Sequence, residues 1–350
     1  MLPARSAKLR GTGGGTAGRV PQCFVLTGPD LPQKNVIPRE ENLLLQSVLT
    51  TLVRVIVPLA IPVLAGALLV RFRGLETKNL VTLILYFLLP FMVFDTLTTA
   101  EISAGDMYKT IAFCLINLIL MWGAAVLAGR LLKLPAAKTA GLTLISTMTN
   151  CVNYGLPLVL LAFGQAGLDK ASVFVVTQLI LGNTVGVFFA ARSNFSVKNA
   201  LKSVFTLPSV YAVVLAVIVR AFPINVPAVL ETGINMVAKS YSPVVLAILG
   251  AQMVLVKNTK LEPGSQAAFW AGMSLRIIIS PIVASLVLFA LGIRGMLFSV
   301  VFILSSMPVA VNSVLLAEKF DAAASVVSKC ILWTTLSSFV LLPVLIEIVK

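Results

Sequence analysis

Ten stretches of about twenty mostly apolar residues follow one another along this chain, and two of them are interrupted by residues that a membrane helix should avoid. Hydrocarbon offers no partner to a backbone N–H or C=O, so a spanning segment must bond its own groups within a helix or a closed barrel. Irregular backbone at that depth survives only where it is buried in protein or lines a wet cavity. The first interruption is NCVNYGLP at 150–157. The amides of Asn150 and Asn153 need partners, and Pro157 brings no N–H to the helix ladder. One reading is a discontinuous helix, broken near the midplane with Asn side chains at the break, as in a transporter binding site. A proline kink that merely packs, with the Asn residues bonding a neighbouring helix, accounts for the same residues.

Composition removes several function classes. The chain is 58% hydrophobic and only 11% charged, with a mean hydropathy of +1.00, which belongs to a polytopic membrane protein in a lipid bilayer. The formal net charge of +14 is not a nucleic-acid footprint, because the Lys and Arg are scattered over loops and a tail with no interleaved aromatics. No nucleic-acid partner is expected. Histidine is absent, and with it the commonest general base and metal ligand. Cys114, Cys151 and Cys330 fall inside apolar stretches, Cys23 lies in the tail, and none forms a C-x-x-C pair. Neither a disulfide, a metal nor another cofactor is expected. An intramembrane enzyme is a poor reading, since Ser325 and Lys329 stand at i,i+4 spacing only at the shallow start of the last stretch.

The expected fold class is all-α, with ten membrane spans near 48–70, 79–98, 108–132, 139–163, 171–191, 205–222, 235–256, 266–291, 296–317 and 323–348. They read as five repeated twice, 48–191 and 205–349. Pro58 and Pro208 lie 150 apart, Pro90 and Pro243 153 apart, and Pro157 and Pro308 151 apart. An odd number of spans per copy forces the second copy to enter from the opposite side, giving inverted repeats. The second interruption lies in the ninth span, where Ser305 and Ser306 precede Pro308 and Asn312 follows. Crossing broken helices 4 and 9 would bring half-helix ends to one point, and helix N-termini suit an anion such as a carboxylate.

The loops after the odd-numbered spans hold twelve Lys and Arg against five on the other side. That predicts a cytoplasmic face there and both termini outside the cell (inner) membrane. Residues 1–42, rich in Gly, Pro, Arg and Lys, are expected to be a disordered tail that is not part of the mature protein.

NCVNYGLPLVLLAFGQAGL, then Gln178, then MPVAVNSVLLAEKF in the ninth span resemble the auxin efflux carrier family, as does LYFLLPFMVF at 85–94. That family comprises plant auxin exporters and bacterial carboxylate permeases. The resemblance covers about 48–349. It implies that Asn150, Gly155 and Pro157 match the first crossover, Pro308 the second, and Gln178 a glutamine beside the site. Asn153 and Asn312 look like the bacterial branch. The join between spans five and six is short where the plant exporters have a long loop, so malate, malonate and similar carboxylates are expected rather than auxin. The resemblance further implies a scaffold of spans 1, 2, 6 and 7 that dimerises, and a core of spans 3–5 and 8–10 that moves as an elevator. The substrate-binding set is then Asn150, Asn153, Tyr154, Gly155, Pro157, Gln178, Ser306, Pro308 and Asn312.

Charged residues inside spans are costly, by roughly 2.5–3.5 kcal/mol on insertion scales. Asp95 is the candidate for proton coupling, or a solvated residue at the membrane surface. Arg276 either bonds broken-helix carbonyls, balances substrate charge, or snorkels to the interface. Asp106 and Lys109 are expected to form an interfacial pair. Small residues in spans 3 and 5, such as Gly123, Gly182 and Gly186, suit close helix packing. The function expected is a carrier for small organic anions. Two alternatives share the plan: a sodium-coupled organic-anion symporter of the bile-acid type, and a non-transporting carboxylate receptor.

Overall fold

The structure, a computed structural model, describes residues 40–100, 102–191, 208–222, 224–257 and 260–350. Most of the expected tail and the basic loop after the fifth span lie outside the described residues. Residues 40–42, assigned to the tail from sequence, instead open a helix that starts at Glu40.

Seven helices among the described residues are long and apolar enough to cross a membrane. They are α1 (Gln46–Arg73), α2 (Thr77–Thr99), α3 (Ala104–Leu131), α5 (Leu156–Ala191 with the wide turn Cys151–Gly155 before it), α7 (Ala228–Lys257), α8 (Gln266–Ala290) and α11 (Ala324–Val349). Shorter apolar helices are α4 (Ala136–Thr147), α6 (Pro208–Ala221) and α9 (Gly295–Ser305), and α10 (Ser313–Lys319) is a seven-residue piece. The stretch labelled α5 is two helices, 156–163 and 165–191, meeting at a kink at Gly164, whose φ of 68° and ψ of −163° suit only glycine; they cover the end of the expected fourth span and the whole of the expected fifth. No strand occurs among the described residues.

Pro58, Pro90, Pro157 and Pro281 do not break their helices, whereas Pro308 lies in the break between α9 and α10. Four π-helical turns are described, at Leu52–Ile56, Ile84–Leu88, Cys151–Gly155 and Leu275–Ile279. Each ends two residues before a proline, namely Pro58, Pro90, Pro157 and Pro281. A proline ring collides with the carbonyl four residues back and leaves it without an N–H. A wide turn just upstream relieves that collision and lets the span continue. Pro157 is therefore a correction to the sequence reading. It sits inside helical structure, and the break lies upstream, where Met148 (φ −94°, ψ 106°) and Asn150 (φ −79°, ψ 44°) leave the helical region.

Two packing groups surround the breaks. Helix α1 packs chiefly on α7, and α2 on α6 and α7. Helices α3, α4, α5, α8, α9 and α11 pack mostly among themselves. The tightest glycine contacts join α1 to α7: a side chain at Gly66 would land on the Ala247 carbonyl, and one at Gly250 on the Val63 carbonyl. The close approach expected around Gly123 is not found, since nothing lies within 4 Å of a Cβ placed there. Gly186 does lie close, with Met148 Sδ 3.2 Å from such a Cβ.

A methyl group at Gly250 has a backbone carbonyl in its path, so the helices must separate. Gly250→Ala should cost about 1–3 kcal/mol, the usual range for overpacking. It should lower the melting temperature of detergent-purified protein, while Gly123→Ala leaves it unchanged. Equal melting temperatures for the two variants would contradict the close-contact account.

Candidate functional site

The two interruptions meet. The backbone N–H of Asn150 donates to the Pro308 carbonyl at 2.9 Å, and that of Ala310 to the Met148 carbonyl at 2.9 Å. Thr149 and Val309 stand opposite each other between these bonds as an antiparallel bridge. Each break thus supplies the partners the other lacks, and the N–H of Val309 is taken by Thr334 Oγ1 at 3.2 Å. The N–H groups of Asn150, Val309 and Ala310 thus all find partners within the protein.

Arg276 ties the same place from the other side. It is 2% exposed, in the π-helical turn of α8. Its Nη1 donates to the Ser146 carbonyl at 3.0 Å, Nη2 to Ser305 at 2.8 Å, and Nε to Met307 at 2.7 Å. Ser146 is in the last turn of α4 and Ser305 ends α9. Their carbonyls are the unsatisfied acceptors at the negative ends of two helix dipoles. One planar guanidinium fork bonds both, and Ser280 Oγ adds a bond to Ser305 at 3.0 Å. Of the readings open from sequence, bonding of broken-helix carbonyls is the one observed; the side chain does not snorkel.

A cavity of about 270 Å³ borders the bridge. Its polar wall comprises Thr149, Asn150, Asn153, Gln178, Asn312 and Ser313, and its apolar wall includes Val81, Leu85 and Leu89 of α2 and Leu315 and Leu316 of α10. No charged residue lines it among the described residues. Three lining atoms, Thr149 Oγ1, Asn150 Nδ2 and Ser313 Oγ, are buried with no hydrogen-bond partner. Buried polar atoms are rarely left so, and three of them on residues lining one cavity call for an explanation. Asn150 is 2% exposed and stands at the head of the Cys151–Gly155 turn and α5 without capping it through its side chain. Asn153 Oδ1 accepts a bond from Tyr241 Oη at 3.2 Å.

Of the residues singled out from sequence, Asn150, Asn153, Gln178 and Asn312 line this cavity. Tyr154 does not; it is buried against Phe339, their ring centroids 6.1 Å apart, with Ser338 Oγ donating to its hydroxyl at 3.5 Å. Gly155 faces Leu304, whose Cδ2 lies 2.7 Å from where a Cβ would be, so glycine permits the approach of α9. Pro157 lies in the following helix, Ser306 Oγ bonds the Phe302 carbonyl, and Pro308 contributes its carbonyl to the bridge. Asp95 lines a different cavity with Thr98, Thr99, Asn225 and Glu231, where Asn235 hydrogen-bonds it. The expected Asp106–Lys109 pair is corrected as well: Asp106 pairs with Lys170 at 2.8 Å, joining the start of α3 to α5 beyond its turn. Sequence reasoning missed Thr149, Ser313 and Tyr241. The first two flank residues it had chosen, whereas nothing local marks Tyr241.

A family model described as membrane transport protein matches residues 47–346. A protein of Methanothermobacter thermautotrophicus named as an uncharacterized transporter is 28% identical over 256 residues, 73% of this chain and 83% of its own length. A second archaeal protein so named, from Methanocaldococcus jannaschii, is 24% identical over 76% of this chain and 88% of its own. A rice protein named as a probable auxin efflux carrier component is 27% identical over 143 residues, 40% of this chain and 38% of its own length. The likeness to auxin efflux carriers noted in the sequence is borne out by these matches.

Replacing Arg276 by Met takes its donors from the Ser146 and Met307 carbonyls, at about 1–3 kcal/mol each, and leaves Ser305 with Ser280 Oγ alone. Folded yield and melting temperature should both fall sharply. Lys should restore only part of the loss, since one ammonium nitrogen cannot replace a three-nitrogen fork. Size-exclusion profiles after heating would check this, and a Met variant as heat-resistant as the parent would overturn it.

Proposed function

The chain belongs to the membrane transport protein family, and from that premise we propose that it is a secondary carrier moving small organic anions, mono- or dicarboxylates such as malate or malonate, across the cell membrane. The observation that carries this reading is Asn150, a cavity-lining residue whose buried Nδ2 has no partner and which stands at the head of the helical stretch 151–163. A helix N-terminus offers free N–H groups and partial positive charge to an anion. Neutral amides and hydroxyls beside it add donors without fixed charge. Such a site is less costly to desolvate when empty, which a carrier must do in every cycle. The C-terminal piece of the second break, α10, has only seven residues and supplies no comparable dipole, so α5 is the anion's helix in this reading.

The reading includes ten spans in two inverted five-span repeats. Helix α5 counts as parts of two spans divided at Gly164, and α9 and α10 as the halves of one. Spans 1, 2, 6 and 7 form a dimerising scaffold, and spans 3–5 and 8–10 an elevator core. The separate packing of α1, α2, α6 and α7 supports that division. The Lys and Arg distribution supports termini outside. Membrane potential alone would drive export of an anion, at about 2.3 kcal/mol per charge per 100 mV. Asp95 lines a different cavity from the one at the crossover.

Solid-supported membrane electrophysiology on proteoliposomes tests the proposal. The panel is acetate, benzoate, malonate and malate, with and without sodium, at two pH values. A carboxylate-evoked transient that needs no sodium and disappears in Asn150→Ala is expected. Currents only with sodium would establish the symporter instead, and binding without flux the receptor.

A further inference from the structure

We propose that Tyr241 is the specificity-determining residue of the cavity, fixing the Asn153 amide so that it presents N–H donors to a carboxylate and withholds its oxygen from a cation. The inference rests on the carrier reading and assigns a role to a residue of the other packing group.

Tyr241 lies on α7, 1% exposed, and its hydroxyl is 3.2 Å from Asn153 Oδ1. An Asn side chain has one face that accepts and one that donates, and its orientation is dictated by its partners. Oδ1 carries no hydrogen, so in this bond the tyrosine donates. With Oδ1 engaged, Nδ2 takes the remaining direction, toward the cavity that Asn153 lines. The neighbouring Asn150 Nδ2 is likewise a donor, buried without a partner. In the proposal both amides turn N–H groups to the cavity, where they match carboxylate oxygens. A sodium ion needs the opposite face, the oxygens, and one of those is held by Tyr241. An unpinned Asn153 could rotate to serve either charge. The hydroxyl thus does for the side chain what the helix start does for the backbone. A buried tyrosine hydroxyl also seeks a partner for its own sake, so the test must separate positioning from mere satisfaction.

The experiment is a double-mutant cycle on full-length protein in proteoliposomes, with Tyr241→Phe, Asn153→Leu and the double variant, read as currents evoked by the same four carboxylates. Tyr241→Phe should raise the half-saturating concentration about tenfold, the equivalent of one lost charge-assisted hydrogen bond, with maximal current kept. In the Asn153→Leu background the same change should do less than a further twofold, because the partner it positions is gone. An unchanged half-saturating concentration in Tyr241→Phe would overturn the inference while leaving the carrier reading intact. So would effects that multiply in the double variant. A lower maximal current and melting temperature at unchanged half-saturation would assign Tyr241 to stability alone, and also overturn it. A silent wild-type protein would overturn the carrier reading and this inference together.

Discussion

Backbone that leaves a helix inside hydrocarbon has to find its hydrogen bonds within the protein, and here two such departures find them in each other. The Asn150–Pro308 and Ala310–Met148 bonds close the two breaks into one short antiparallel pair. The C-terminal carbonyls of α4 and α9 that this pairing leaves over are gathered by Arg276. A buried cation without a carboxylate is normally untenable; opposite two helix C-termini it meets partial negative charges of the right sign. The crossover, α8 and the position of Asn150 are thus one interdependent unit.

That unit separates two kinds of polarity. On the Arg276 side every carbonyl named is bonded. On the cavity side, Thr149, Asn150 and Ser313 keep atoms unbonded. An unpaired buried donor costs stability, and in a native structure it calls for an explanation. The apolar wall from α2 and α10 adds residues that bring no charge to the cavity. Tyr241 reaches this place from α7, a helix whose main partner is α1, so the two packing groups touch at the cavity itself.

Much of this was legible in the sequence. Apolar stretches of spanning length and the Asn residues beside Pro157 and Pro308 gave the membrane class, both breaks and four cavity residues. The position of the first break was not, because Pro157 reads as a breaker, whereas a π-helical turn upstream absorbs it. Arg276 was visible as a buried charge, but its partners are carbonyls from two distant segments, and carbonyls leave no mark in side-chain sequence. Asp106 was paired with Lys109 on helical spacing; the tertiary fold brings Lys170 closer. Tyr241 is one of many aromatic residues in apolar helices, and only the folded chain sets it beside Asn153.

The central claim is that the anion sits in the cavity at the crossover. The most direct test is the rate at which a small thiol reagent modifies a cysteine placed at Leu315, an exposed residue of the cavity wall, read by mass spectrometry at that position. A carboxylate that evokes current should slow the modification, with a half-effect at the concentration that half-saturates the current. A rate unchanged at saturating carboxylate would place the anion elsewhere and contradict the account.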